Sequence, residues 1–223
     1  MNKREVKDLL YEQVARIGKA VSSPKRLELL ELLAQGEKTV EVLANELSID
    51  MKLASAHLKA LREARLVENR RDGKYMVYRL SGEDVAQLWV TLRLVAEEHL
   101  VELQLALQRL VAAPEKLAQV GRAELLEQAR RGDVVVIDVR PEEEYDVAHL
   151  PYARSMPVAE IEKRLAELPT GREIVAYCRG PFCLMSDEAQ KLLSRKGYRV
   201  RKILDGVAEW QAAGMPLERL SGA

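Results

Sequence analysis

The chain is short of cysteine: 223 residues include two, Cys178 and Cys183. Two thiols five residues apart are too few for the disulfide framework of a secreted domain, so a reducing cytoplasm is the expected location. Long apolar runs are also missing, and no stretch has the length a membrane-spanning helix needs. No cleavable signal is expected either, because Met1-Asn-Lys-Arg-Glu-Val-Lys-Asp is charged and leads straight into an amphipathic helix. The formal net charge is zero, but the charges are not evenly spread. From Lys52 to Arg79 there are eight basic residues and three acidic ones, a patch of the kind that attracts phosphate backbones. Charge alone does not separate that reading from a merely solvated face, so the structural context has to decide.

A chain of this length accommodates two modest domains. In the first half, Ser23-Pro24 before Lys25-Arg-Leu-Glu-Leu-Leu-Glu-Leu-Leu-Ala-Gln-Gly36 supplies a cap, a proline at the first helical position and a terminal glycine. A second short helix follows from Thr39 to Leu47, and Asp50 caps a third from Met51 to Ala64. Leu58 and Leu61 of the third face inward, whereas Lys52, Ser55, Lys59 and Arg62 face out. An Asp72-Gly73 turn between extended runs predicts a hairpin. Ser81, with Asp84 three residues on, opens a helix expected to run unbroken to about Val111. Its apolar stripe is longer than a domain this small can bury, so either a second copy covers it or the C-terminal half does; dimerisation is the expected outcome, with the N-terminal helix contributing.

Ala112-Ala-Pro114-Glu-Lys reads as a hinge. Beyond it, helices alternate with the apolar strands Val134-Val-Val-Ile-Asp-Val139, Ile174 to Tyr177 and Tyr198 to Leu204. This alternation predicts an α/β domain with a mostly parallel sheet covered on both faces. Cys178 falls at the C-terminal end of one such strand, under a short loop that feeds a helix. That place gathers backbone N–H groups and the positive end of a helix dipole, and with Arg179 beside it the thiolate is favoured.

Two short helices, an exposed basic third and a basic hairpin resemble the winged helix-turn-helix of the ArsR family of small dimeric repressors, over about Tyr11 to Leu110. The matching run is Leu47-Ser-Ile-Asp-Met-Lys-Leu-Ala-Ser-Ala-His-Leu-Lys-Ala-Leu-Arg-Glu-Ala-Arg-Leu-Val67, followed by Tyr78-Arg-Leu80. The resemblance implies operator DNA as the partner. Lys52, Ser55 and Lys59 would meet the major groove and its phosphates, and Arg70, Arg71 and Lys74 on the wing would meet phosphate or the minor groove. His57 either donates to a phosphate or packs under the wing. Ala56 stands where a polar residue is common, and Arg65 where glycine usually eases the turn into the wing. Relatives that sense metals carry cysteine pairs in the second helix, where this chain has Lys38-Thr-Val-Glu-Val42, or His and carboxylate pairs on the long helix, where it has the single His99. No metal site and no cofactor are expected.

The second half resembles a single rhodanese domain. The resemblance rests on Val136-Ile-Asp-Val-Arg-Pro-Glu-Glu-Glu-Tyr145 with His149-Leu-Pro151, on the loop from Cys178 to Cys183, and on Leu204-Asp-Gly-Val-Ala-Glu-Trp-Gln-Ala-Ala-Gly-Met-Pro216. Departures are Ala148 and Tyr152, where glycines are usual, and Val207 in place of a second glycine. The resemblance implies that Cys178 attacks a sulfane sulfur and carries it as a persulfide. Arg179 is expected to draw in an anionic donor such as thiosulfate or polysulfide. The N–H groups of Arg179, Gly180, Phe182, Cys183 and Leu184 would cradle the anion, with Pro181 contributing none. Leu184 stands where phosphatase-like chemistry requires an arginine. Asp138, Arg140 and His149 are read as loop-pinning residues. Cys183 either joins Cys178 in redox chemistry or fills space as a small buried residue.

The whole therefore predicts a mainly α winged helix-turn-helix domain (1–111), a linker (112–119) and an α/β rhodanese-like domain (120–220). The expected function is a homodimeric DNA-binding repressor that senses reactive sulfur at Cys178, or alternatively a thiosulfate sulfurtransferase with an appended DNA-binding domain.

Overall fold

The computed structural model describes residues 2–110, 117–118 and 120–220. The chain forms two compact units, Met1–Trp89 and Val90–Ala223.

The first unit holds helices α1 (Lys3–Val21), α2 (Pro24–Leu33), α3 (Val40–Glu46) and α4 (Met51–Glu63), with a small antiparallel sheet. Its strands are β1 (Lys38–Thr39), β2 (Val67–Asp72) and β3 (Tyr75–Leu80), in the order β1-β3-β2. Side-chain caps fix the helix starts. Asn2 and Glu5 form a reciprocal capping box at α1, Thr39 accepts from Val42 N–H at α3, and Asp50 accepts from Leu53 N–H at 2.9 Å at α4. Ser23 holds the N-cap position of α2 without a side-chain bond. Leu29, Leu30, Leu43, Leu58 and Leu61 are wholly buried and form the centre of this core. The hairpin turn is Gly73-Lys74, one residue later than expected, with Gly73 at φ 59° in the first turn position.

α5 (Glu83–His99) crosses from the first unit into the second, which continues with α6 (Val101–Leu110), α7 (Arg122–Arg131), α8 (Glu142–Val147) and α9 (Ile161–Arg164). The last two helices are α10 (Met185–Arg195) and α11 (Val207–Ala212). Strands β4 (Val134–Asp138), β5 (Arg154–Ser155), β6 (Glu173–Tyr177) and β7 (Val200–Lys202) pair in parallel in the order β5-β4-β6-β7. Alternate strand residues serve opposite faces. Val135, Ile137, Ile174, Ala176 and Cys178 pack with Ala189 and Leu193, whereas Val134, Val136, Val175 and Tyr177 pack with Leu125 and Trp210.

The helix expected to run unbroken from Ser81 instead starts at Glu83 and is interrupted at Leu100. The cause is local. The Gln104 side-chain amide donates to the carbonyls of Glu97 (2.8 Å) and Glu98 (3.3 Å), which an uninterrupted helix would offer to the N–H groups of Val101 and Glu102. The short α9 is flanked by 3₁₀ turns at Val158–Glu160 and Leu165–Glu167, and α8 and β5 were not anticipated. Of the linker, Leu117 pairs with Lys202 and Ala118 N–H donates to Lys202 O at 2.8 Å. The hinge residues Ala112 to Lys116, and the end of the long helix at Val111, lie outside the described residues.

Two apolar faces remain uncovered. On α1 they include Leu10 (63% exposed) and Val14 (70%); on α5 and α6 they include Leu94, Val95, Leu100 and Val101. Among the described residues, no helix is long and apolar enough to cross a membrane.

Arg65 has φ 61°, in the left-handed region, at the turn from α4 into the hairpin. Tyr152, another of the positions where the sequence lacks an expected glycine, has φ 64°. Arg65 is exposed, so Arg65→Gly relieves backbone strain without opening the core. Urea denaturation is expected to show a gain of about 1 kcal/mol.

Candidate functional site

Cys178 follows β6 directly. The strand places its backbone between neighbours on both sides, and the segment 179–184 then turns into α10. The residue is 2% exposed. A thiolate at such a depth needs donors from the protein itself.

The structure supplies them from both ends of the loop. The pKa of Cys178 is lowered to about 6, foremost by the hydrogen bond from the Cys183 thiol. Burial opposes this shift, and the Ser186 hydroxyl with the N–H groups of Ser186 and Gly180 add to it. Ser186 Oγ lies 3.3 Å from Cys178 Sγ. Once protonated, the same sulfur can donate to the carbonyls of Cys183 at 3.6 Å and Gly180 at 3.9 Å. Cys183 is held as the neutral thiol: its pKa is raised, first by its hydrogen bond to Cys178 and then by burial. The two thiols titrate as a pair, with ionisation favoured at Cys178 and disfavoured at Cys183.

The expected cradle is thus partly redrawn. Gly180 contributes its N–H to Cys178, as the sequence suggested. The N–H of Cys183 donates instead to Gly180 O at 3.1 Å, closing the loop on itself. The N–H of Arg179, with that of Met185, serves the Cys183 sulfur. Phe182 is half-buried, and the Leu184 side chain is exposed. Ser186 was missed because it lies beyond the loop, in the first turn of α10. Its spacing, one helical turn after Cys183, is the only signal in the sequence.

Arg179 requires a larger correction. Its guanidinium was expected to attract an anionic donor, but the side chain is buried and grips Glu144 in a two-pronged pair at 3.0 and 2.7 Å. Its charge is matched inside the protein. Glu144 belongs to α8, an element the sequence reading did not foresee.

Asp138, Arg140 and His149 each have partners in the loops around the sheet. Arg140 is wholly buried, pairs with Asp138 and donates to Ala148 O at 2.7 Å. The Tyr177 hydroxyl donates to Asp138 and accepts from Leu150 N–H at 3.1 Å; burial pushes its pKa well up. His149 stacks on Tyr145 with ring centroids 3.7 Å apart, and its Nδ1 lies 2.8 Å from Tyr145 O. Among the described residues no group of three or more His, Cys, Asp or Glu is placed to hold a metal ion.

In the first unit, Lys52, Ser55 and Lys59 are exposed along α4, and His57 is half-buried. Arg70, Arg71 and Lys74 are exposed on the hairpin. Two of these arginines already have partners there. Arg70 pairs with Glu37 and Asp72, each at 2.9 Å, and Arg71 donates to Gly73 O at 3.0 Å. Lys74 lies over the Tyr75 ring at 5.1 Å.

Comparison with known proteins matches both parts. The family model for bacterial regulatory proteins of the arsR family matches residues 23–69, and that for the rhodanese-like domain matches residues 122–213. The HTH-type transcriptional regulator Rv0324 of Mycobacterium tuberculosis is 44% identical over 212 residues, covering 95% of this chain and 93% of its own length. A sulfurtransferase of Allochromatium vinosum is 33% identical over 86 residues, 38% of this chain and 78% of its own length. Among solved structures, the homodimeric winged helix-turn-helix DNA-binding domain of Mb0332 from Mycobacterium bovis is 46% identical. It covers 46% of this chain and 93% of that chain, with a TM-score of 0.42.

Because the thiolate is the nucleophile, reactivity at Cys178 should follow its ionisation. With a pKa of about 6, alkylation by iodoacetamide is expected to rise from pH 5 and level off near pH 7. Cys183→Ala removes the foremost donor, so the midpoint should move up toward the ordinary thiol range, near ~8.5. A midpoint that stays put would show that Cys183 does not hold the proton.

Proposed function

The chain belongs to the ArsR family of winged helix-turn-helix transcriptional regulators, in a form that carries a C-terminal rhodanese-like domain, and from that premise we propose that it is a homodimeric repressor that senses reactive sulfur at Cys178. The observation that carries the reading is a buried cysteine whose anion is held by a second thiol, in a chain built to bind DNA.

The chemistry is sulfur transfer. The Cys178 thiolate attacks the sulfane sulfur of a donor and a new S–S bond forms. The donor's own bond to that sulfur breaks, and its electron pair leaves with sulfite or a shortened sulfide chain. Cys178 then carries a persulfide. Cys183 can attack Sγ of Cys178 in turn, expelling the added sulfur as hydrogen sulfide and leaving a Cys178–Cys183 disulfide. The two cysteines are oxidised and the sulfane sulfur is reduced. Hydrogen polysulfide suits this loop better than thiosulfate, because the Arg179 charge that would meet a sulfonate is taken up by Glu144.

Two features support the dimer: the uncovered apolar face of α1 and that of α5 and α6. DNA contact falls to Lys52, Ser55, His57 and Lys59 on α4 and to Arg70, Arg71 and Lys74 on the wing. For Arg70 this involves exchanging Glu37 and Asp72 for phosphate. A second reading, steady sulfurtransferase turnover, draws on the similarity to the Allochromatium vinosum sulfurtransferase. Sustained conversion of thiosulfate and cyanide, unaffected by Cys183→Ser, would favour it.

Treatment with polysulfide is expected to weaken operator binding by wild type at least about fivefold, the lower end of ordinary allosteric coupling. Cys178→Ser should not respond. If treated wild type and Cys178→Ser bind alike, sulfur sensing is refuted. Separately, the double change Arg70→Gln and Arg71→Gln should weaken operator binding and flatten its salt dependence; an unchanged slope would take the wing out of the interface.

A further inference from the structure

Close to Gly180 of the reactive loop lies a carboxylate that the sulfur chemistry does not use. Glu209, in the first turn of α11, is 4% exposed. Its Oε2 accepts from Gly206 N–H at 2.8 Å, and its Oε1 accepts from Arg93 Nη2 at 3.1 Å. Arg93 comes from α5, is equally buried, and also pairs with Glu97 one turn further along that helix. All of these residues belong to the second unit.

The loop rests directly on this pair. A Cβ built on Gly180 would lie 3.2 and 3.3 Å from the two Glu209 carboxylate oxygens. A Cβ on Gly206 would lie 2.5 Å from Arg179 O and 2.6 Å from Cys178 O, closer than real side chains approach backbone. Gly206 is therefore required by contact and Gly180, at φ 150°, by its backbone conformation, and the peptides of Cys178 to Gly180 lie close against the Gly206–Glu209 corner. Gly180 is also one of the donors to Cys178. A sulfur atom added at Cys178, or a bond from Cys178 to Cys183, must rearrange the peptide that donates. That peptide has the Glu209 carboxylate at its back.

We propose that Glu209 and Arg93 are positioning residues that set the reactive loop against α5, so that the sulfur state of Cys178 is transmitted through Gly180, Glu209 and Arg93 to that helix. The inference rests on the sulfur-sensing reading for its biological use, but the mechanical link stands on its own. The adjacent residues Leu94 and Val95 place half-exposed apolar side chains on the same turn of α5. A small rotation of that turn would alter the face assigned above to a second copy.

The test uses the full chain. Hydrogen exchange over Glu83 to His99 is followed before and after Cys178 is modified by iodoacetamide, with mass spectrometry confirming complete modification. Wild type should change its exchange over this helix by about fivefold or more, the range of ordinary coupling energies. The double variant Arg93→Met with Glu209→Gln removes both charges together, so that neither is left buried and alone. It should still be modified at Cys178 yet show no change in α5, and Arg93→Lys, which keeps the charge, should restore at least part of the response. A wild-type helix indifferent to modification, or a double variant that responds like wild type, overturns the link. Operator binding measured in parallel reports separately: if α5 responds but DNA affinity does not, the link holds and the sensing reading fails.

Discussion

A sulfur anion buried at the edge of a sheet must be solvated by the protein, and the segment from Cys178 to Ser186 is organised around that requirement. Water cannot reach the site in any quantity, and the arginine next in sequence is turned away toward Glu144. Hydrogen bonds are what remain. Their arrangement is asymmetric, because the foremost donor is itself a thiol, held neutral beside the sulfur it serves. Nucleophile and proton store are thus neighbours in one short loop. A change of bonding at either sulfur breaks the hydrogen bond that Cys183 donates to Cys178.

The sequence makes the framework of both units legible because the signals there are local. Asp50 caps α4 as its position implies, and the alternation of apolar residues assigns the faces of β4 and β6. Arg65 and Tyr152, noted as residues where glycine would be usual, both have positive φ. What stayed hidden depends on contacts across the fold. The pairing of Arg179 with Glu144 spans 35 positions, and that of Arg93 with Glu209 spans 116. No spacing rule connects such partners. The interruption at Leu100 is different: its cause, Gln104, is close by, but a side-chain amide competing for backbone carbonyls is not visible in apolar periodicity.

Charge is used differently in the two units. On the hairpin the arginines lie at the solvent boundary, and their pairs with Glu37, Asp72 and Glu68 are exposed. Such pairs contribute little to stability and can be exchanged for phosphate at small cost. In the second unit three arginines are interior. Arg179 and Arg93 join distant segments through buried carboxylates, and Arg140 pairs with Asp138 two residues away while donating to Ala148 O. Breaking one of these would leave a charge stranded in the core. Replaceable charge thus sits on the hairpin surface, and fixed charge where geometry has to persist.

β6 has a consequence of its own. It lies inside the sheet with β4 and β7 on either flank, and beyond its last residue Tyr177 O still accepts from Val139 N–H at 3.1 Å while Ala176 O accepts from Ile203 N–H at 3.0 Å. The tyrosine hydroxyl is moored to Asp138 on the neighbouring strand. The backbone that presents the sulfur is therefore an anvil, unable to slide or recoil. Whatever atom lands on Cys178, the recoil is absorbed on one side only, by the short arch of chain that follows it.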